Sequence, residues 1–131
     1  RDEQWLKGYC PICGNLPGMA RLEQETGQRI LWCSFCHAQW NFPRIQCPFC
    51  SNNDHDRLKY FFIEEESPYR VDVCENCGKY LKTIDERRLP EEREIYLPIE
   101  DLATYELDMA AEKEGYQSGQ WWLRDKGIPS Q

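Results

Sequence analysis

Apolar positions along the first 85 residues come in short bursts, each closed by a polar or glycine-containing turn. Bursts of this length predict strands rather than helices. MARLEQE (19–25) alternates apolar and polar residues only loosely, and RILWC (29–33) is short and rich in strand formers. Thr26 and Gly27 between them predict a hairpin turn. The pattern recurs downstream. RLKYFFIE (57–64) and YRVDVC (69–74) read as a second strand pair, joined by residues 64–68.

The periodicity then changes. Residues 85–98 (DERRLPEEREIYLP) are charged and interrupted by proline, which predicts a connection. In the following IEDLATYELDMAAEKEGY, Ile99, Leu102, Ala103, Tyr105, Leu107, Met109 and Ala110 fall on one broad helical arc. Asp101, Thr104, Asp108 and Glu112 fall opposite, so the pattern predicts one helix over 99–116, entered at Pro98 and left at Gly115. Glu106 sits near the middle of the apolar arc. A carboxylate there implies either a half-covered helix or a face that receives a partner. Residues 117–131, with Trp121 and Trp122 among polar residues, form a tail that either docks or hangs free.

Cysteine spacing adds the chemistry. All eight cysteines sit in CxxC pairs: Cys10/Cys13, Cys33/Cys36, Cys47/Cys50 and Cys74/Cys77. Disulfide frameworks scatter their cysteines, because a bond between near neighbours closes a short loop and constrains little. Metal sites cluster them in pairs, because one tight turn presents two sulfurs to one ion. Four pairs can combine into two sites in three ways. The chain nearly repeats on its cysteines: CPICGNLP (10–17) resembles CPFCSNND (47–54), and LWCSFCHAQW (31–40) resembles VDVCENCGKY (71–80) less one residue. The repeat favours Cys10, Cys13, Cys33 and Cys36 in one site and Cys47, Cys50, Cys74 and Cys77 in the other. The rival is a compact site from residues 33–50 alone, with the outer pairs meeting each other. Gly14 and Gly78 follow their pairs and suit a sharp turn; His37 and Ser51 hold the equivalent places without that freedom.

Four thiolates per site leave no open coordination position, so neither site is built like a catalytic zinc centre. Each would brace a unit too small to fold on its apolar surface alone, or carry one electron. Zinc and iron both accept this shell. A thiol–disulfide enzyme would need a βαβ setting that the pattern lacks, and no catalytic residue emerges. His37 and His55 read as exposed turn residues, and Trp32 and Trp40 as lids over the first site.

The formal charge is −7, and two divalent ions in four-thiolate shells would take it to about −11. A chain this acidic argues against a nucleic-acid-binding ribbon. The opening RDEQWLKG has no apolar run and no initiator methionine, which suggests a fragment of a longer protein without a signal peptide at this point. No stretch approaches a membrane span. Metal thiolates imply a reducing compartment, most simply the cytoplasm.

Four phrases in this order carry a family resemblance: CPICGNLP with GMARLE behind it, LWCSFCHAQWNFPRIQCPFC, YRVDVCENCGKYLKTID and DLATYELDMAAEKEGY. Together, over roughly residues 9–116, they resemble the FdhE family, accessory proteins for formate dehydrogenase maturation. The resemblance implies a small metal-bound α+β chain, mostly β. Two tandem rubredoxin-like or zinc-ribbon modules (9–45 and 46–84) follow an N-terminal segment (1–8). A linker (85–98), a C-terminal helix (99–116) and a tail (117–131) complete the chain. It further implies the eight cysteines as metal ligands, with iron favoured and zinc possible, no catalytic residue, and a cytoplasmic chaperone that binds the catalytic subunit of formate dehydrogenase. It carries no expectation of nucleic acid or membrane as partner and leaves self-association open. Two alternatives stand beside it: a redox-responsive iron–thiolate module, and a nucleic-acid-binding zinc ribbon.

Overall fold

The computed structural model describes residues 5–91 and 93–119. The ends of the N-terminal segment and of the tail, including Trp121 and Trp122, lie outside the described residues. Seven strands form one sheet: β1 (Met19–Leu22), β2 (Arg29–Trp32), β3 (Gln39–Asn41), β4 (Leu58–Phe61), β5 (Tyr69–Cys74), β6 (Lys79–Asp85) and β7 (Gln117–Ser118). Two helices, α1 (Leu97–Ala103) and α2 (Tyr105–Lys113), lie between β6 and β7. The fold is the mostly-β chain with C-terminal helical structure that the sequence predicts.

The strand order is β3-β2-β1-β6-β5-β4, with β7 added beside β6. Each cysteine unit supplies three consecutive antiparallel strands, and the units meet where β1 pairs in parallel with β6, Ala20 against Thr83 and Leu22 against Asp85. The two units therefore share one continuous sheet. Both β3 and β6, which follow the second cysteine pair of their units, went unread in the hydropathy pattern. β6 is the longest strand and is flanked on both sides, so KYLKTID is buried from Tyr80 to Asp85 despite Lys82, Thr83 and Asp85. A strand buried on both faces loses the polar face that makes period two visible.

Register divides the side chains between two faces. Val71, Val73 and Tyr80 face Leu107 and Ala111 of α2, while Met19, Trp32 and Ile84 face Leu97 of α1. On the opposite face Ala20, Leu31, Trp40 and Leu81 pack with Cys10, Cys33 and Phe42. Trp40 thus covers the first cysteine site, and its indole N–H donates to Lys7 C=O at 3.0 Å. Trp32 is a lid over nothing there; it packs on the other face and stacks on His37.

The single helix predicted over 99–116 is divided at Thr104. The Thr104 hydroxyl donates back to Glu100 C=O at 2.8 Å, and Lys82 Nζ takes the Asp101 carbonyl at 2.8 Å, so the helical ladder is interrupted there. The buried stripe is Leu97, Glu100, Thr104, Leu107 and Ala111, which shares only Leu107 with the predicted apolar arc. Ile99, Leu102, Tyr105 and Met109 are more than half exposed, and Glu106 lies at the surface. The physical reason is the sheet beneath. It presents Tyr69, Tyr80 and Lys82, which take Glu100 and Asp108 as partners: Tyr69 Oη to Glu100 at 2.8 Å, Tyr80 Oη to Asp108 at 2.7 Å, and Lys82 Nζ to Asp108 at 2.7 Å. Polar matching outweighs apolar patterning where a buried lysine must be satisfied.

Candidate metal centres

Each CxxC forms a knuckle closed by the same bond. Gly14, His37, Ser51 and Gly78 donate their N–H to the carbonyls of Cys10, Cys33, Cys47 and Cys74, at 3.0, 2.8, 2.8 and 2.8 Å. All four donors have positive φ, of 83°, 71°, 68° and 78°. The turn demands the left-handed region whatever the residue, so His37 and Ser51 adopt it against their steric preference. The turn folds backbone N–H groups onto sulfur. Ile12 N–H points at Cys10 Sγ at 3.3 Å and Phe49 N–H at Cys47 Sγ at 3.4 Å. Asn76 and Asn15 side-chain amides donate to Cys50 and Cys13 at 3.4 and 3.5 Å. Such donors stabilise negative charge on sulfur and fix its orientation.

The knuckles meet in two quartets. Sulfurs of Cys10, Cys13, Cys33 and Cys36 lie within 4.8 Å of one another, and so do those of Cys47, Cys50, Cys74 and Cys77. The pairs come together in chain order, as the repeat favours; the outer and central pairs do not mix. No cysteine is in a disulfide. The close contacts are 3.5 Å in the first quartet (Cys10–Cys36, Cys13–Cys33) and 3.7 Å in the second (Cys47–Cys77, Cys50–Cys74). A disulfide would need about 2 Å. A tetrahedron of sulfurs about 2.3 Å from a central zinc has edges of about 3.8 Å. The donor set and its spacing fit a four-coordinate ion in each quartet.

The thiols of one quartet differ in acidity. The Asn15 N–H directed at its sulfur brings Cys13 down to about 7, whereas burial pushes Cys33 up to about 12. In the second quartet, burial is outweighed at Cys50 by the Asn76 and Asn52 donors, which hold it at about 7. Burial drives Cys47 upward. Cys36 and Cys77 are held upward as well, so ionising these four sulfurs falls to a bound cation, which inverts the cost of a buried thiolate.

The histidines stand outside both quartets. His37 stacks on Trp32 with ring centroids 5.6 Å apart, and His55 pairs at the surface with Asp56.

A cleft of about 270 Å3, absent from the sequence reading, opens beside the second quartet on the sheet face opposite the helices, with Cys47 and Cys74 among its lining residues. Arg29, Arg44, Lys59, Arg70, Lys79, Arg87 and Arg88 line it with only two carboxylates, Asp72 and Asp85. These basic residues are dispersed in sequence, and only the sheet register collects them.

Comparison with known proteins places these observations. Residues 9–44 match the family described as FdhE, central domain, and residues 45–121 match FdhE, C-terminal domain. A protein named FdhE homolog from Aquifex aeolicus is 35% identical over 118 residues, covering 87% of this chain and 40% of the relative. Protein FdhE of Escherichia coli O1:K1 is 32% identical over 111 residues, covering 82% of this chain and 34% of the relative. The crystal structure of the FdhE protein from Pseudomonas aeruginosa superposes with a TM-score of 0.75 at 32% identity, over 86% of this chain and 39% of that one. The chain spans two fifths or less of the length of these relatives.

Proposed function

Because the chain belongs to the FdhE family, we propose that it is the metal-binding part of a maturation factor that binds the catalytic subunit of formate dehydrogenase and is not itself an enzyme. The observation that carries this reading is the pair of closed quartets in a chain of this family. Cys10, Cys13, Cys33 and Cys36 hold one ion, and Cys47, Cys50, Cys74 and Cys77 hold the other. When bound, each ion supplies a cross-link between two knuckles; with iron it also supplies a one-electron couple. Four protein sulfurs fill a tetrahedral shell, so no position remains for substrate or water. The chain's own part is to orient sulfur by backbone N–H groups and to bury one face of the first site against Trp40. The family resemblance favours iron, and the shell accepts zinc equally. A maturation factor of this kind acts before export, which sets it in the cytoplasm. Among the described residues no helix is long and apolar enough to cross a membrane.

The test is capture of the dehydrogenase catalytic subunit from an extract that expresses it. Wild-type protein is expected to recover the subunit, and Cys74→Ser to lose it. Failure of capture by the wild type overturns the assignment. Metal analysis with an absorption spectrum separates iron, which colours a thiolate site, from colourless zinc.

A further inference from the structure

We propose that the cleft beside the second quartet binds an extended acidic peptide segment, added as a strand along β4. This deepens the accessory reading and rests on it, since it gives the client-facing surface a location and a chemistry.

Charge is the first observation. The chain is acidic overall, at −7, yet seven basic residues and two carboxylates line one cleft. A divalent ion with four thiolates at its inner end removes two charges and leaves the surplus positive. Both carboxylates are already engaged: Asp85 accepts from Arg87 Nε at 2.8 Å, and Asp72 accepts from Thr83 and lies against Arg70. Arg44 and Arg88 are exposed at its rim. Arg70 lies over the Tyr60 ring, 4.3 Å from its centroid. Its Nε is 3.2 Å from Asp72 Oδ1 but out of hydrogen-bond alignment, so this buried N–H has no acceptor. A buried donor without an acceptor is costly, and an incoming carboxylate supplies one.

Main-chain geometry selects a peptide over a small anion. Among the described residues β4 is the sheet edge and pairs with β5 alone. Glu75 N–H donates to Arg57 C=O at 2.8 Å, so the antiparallel alternation turns the main-chain groups of Tyr60 away from β5. A strand added there finds an open donor and acceptor at Tyr60. It directs alternate side chains to the face that carries Tyr60, Arg70 and Arg29. Acidic residues at every second position therefore meet the arginines.

The probe is a fluorescein-labelled eight-residue peptide that alternates glutamate with threonine or valine, titrated by anisotropy into the metal-loaded chain. The control carries the same residues with its glutamates contiguous. The alternating peptide is expected to bind at least fivefold more tightly and to weaken as salt rises from 50 to 200 mM. Exposed Arg44 and Arg88 changed together to glutamate should weaken it at least tenfold, with metal content and melting temperature retained. Tyr60→Pro and Tyr60→Val both lose the ring, but only proline loses the outward N–H. Weakening by proline about tenfold beyond valine supports strand addition, and equal affinity of the two overturns it. Binding of inorganic pyrophosphate with none of the peptide also overturns it, in favour of a small-anion site. Undiminished capture of the dehydrogenase subunit by the double variant overturns the cleft while leaving the accessory role. Peptide binding without any capture by the wild type does the reverse.

Discussion

The two cysteine units share a knuckle geometry and differ in almost everything around it. The first ends in β3, three residues at a sheet edge with only Trp40 buried. The second ends in β6, seven residues paired with β5, β1 and β7. Around the first quartet Cys13 and Cys36 are exposed, and Ile12 and Phe35 at the knuckle tips are 74% and 75% accessible. Around the second quartet Cys50 and Cys77 are half-buried, Phe49 packs inward, and the basic cleft lies alongside. One repeat has thus become two parts: a peripheral site that presents sulfur and apolar tips, and a central site that anchors the sheet.

The largest expected effect breaks this comparison if it falls equally on both units. A structural ion contributes roughly 10–16 kcal/mol, comparable to or above the roughly 5–15 kcal/mol by which domains are stable. Loss of either ion is therefore severe, but its reach should differ. Cys74→Ser is expected to release β6 and with it the parallel seam to β1, so that hydrogen exchange rises across both units. Cys33→Ser is expected to expose residues 9–41 while β4, β5, β6 and the helices stay protected. A chelator should likewise strip the first site faster, because its two outer sulfurs face solvent. Uniform loss of protection in both variants would show that the two sites are equivalent supports.

The next effect tests what β6 gained. Lys82, 3% exposed, holds Asp101 and Asp108 at 2.7 Å each. Its counterpart in the first unit is Asn41, exposed on β3. Lys82→Met leaves two carboxylates facing a site with no cation and should cost about 3–5 kcal/mol in chemical denaturation. Asn41→Ala should stay within about 0.5 kcal/mol. A cost for Lys82→Met below about 1 kcal/mol would mean that the helices are held by Leu107 and Ala111 alone.

That lysine also explains what the sequence hid. The cysteine repeat made both quartets legible, because CxxC spacing is local and its geometry follows from one turn. Strand pairs in each unit were legible from their bursts of apolar residues. β6 was not, since a central strand bearing Lys82, Thr83 and Asp85 looks polar until its partners are known. The buried helix face was misread for the same reason: the arc with Leu102 is the apolar one, yet the arc with Glu100, Thr104 and Asp108 satisfies the sheet. Leu107→Ala, packed on Val71, Val73 and Tyr80, should therefore cost about 2–4 kcal/mol, while Leu102→Ala, 75% exposed, should cost less than about 0.5 kcal/mol in the same denaturation curves. Equal costs would restore the apolar arc as the docking face. The basic cleft was illegible because its residues come from β2, β4, β5, β6 and two loops, and only register brings them together.

The smallest effect sharpens the comparison at the knuckles themselves. Four turns need a left-handed residue, and glycine supplies it only at the first knuckle of the first unit and the second knuckle of the second. A Cβ added at Gly14 or Gly78 meets nothing within 4 Å, so Gly→Ala at either measures backbone strain free of any clash. Each should lower stability by about 1 kcal/mol. Ser51→Gly should relieve a similar strain, less about half for the greater freedom of glycine in the unfolded chain. His37→Gly relieves the same strain but forfeits the stack on Trp32, worth about 0.5–1.5 kcal/mol for an aromatic pair, and so should come out neutral or slightly destabilising. Melting curves of the metal-loaded variants rank the four changes. If Ser51→Gly and His37→Gly stabilise equally, the Trp32–His37 contact contributes nothing and the exposed rim of the first site is held by its metal alone.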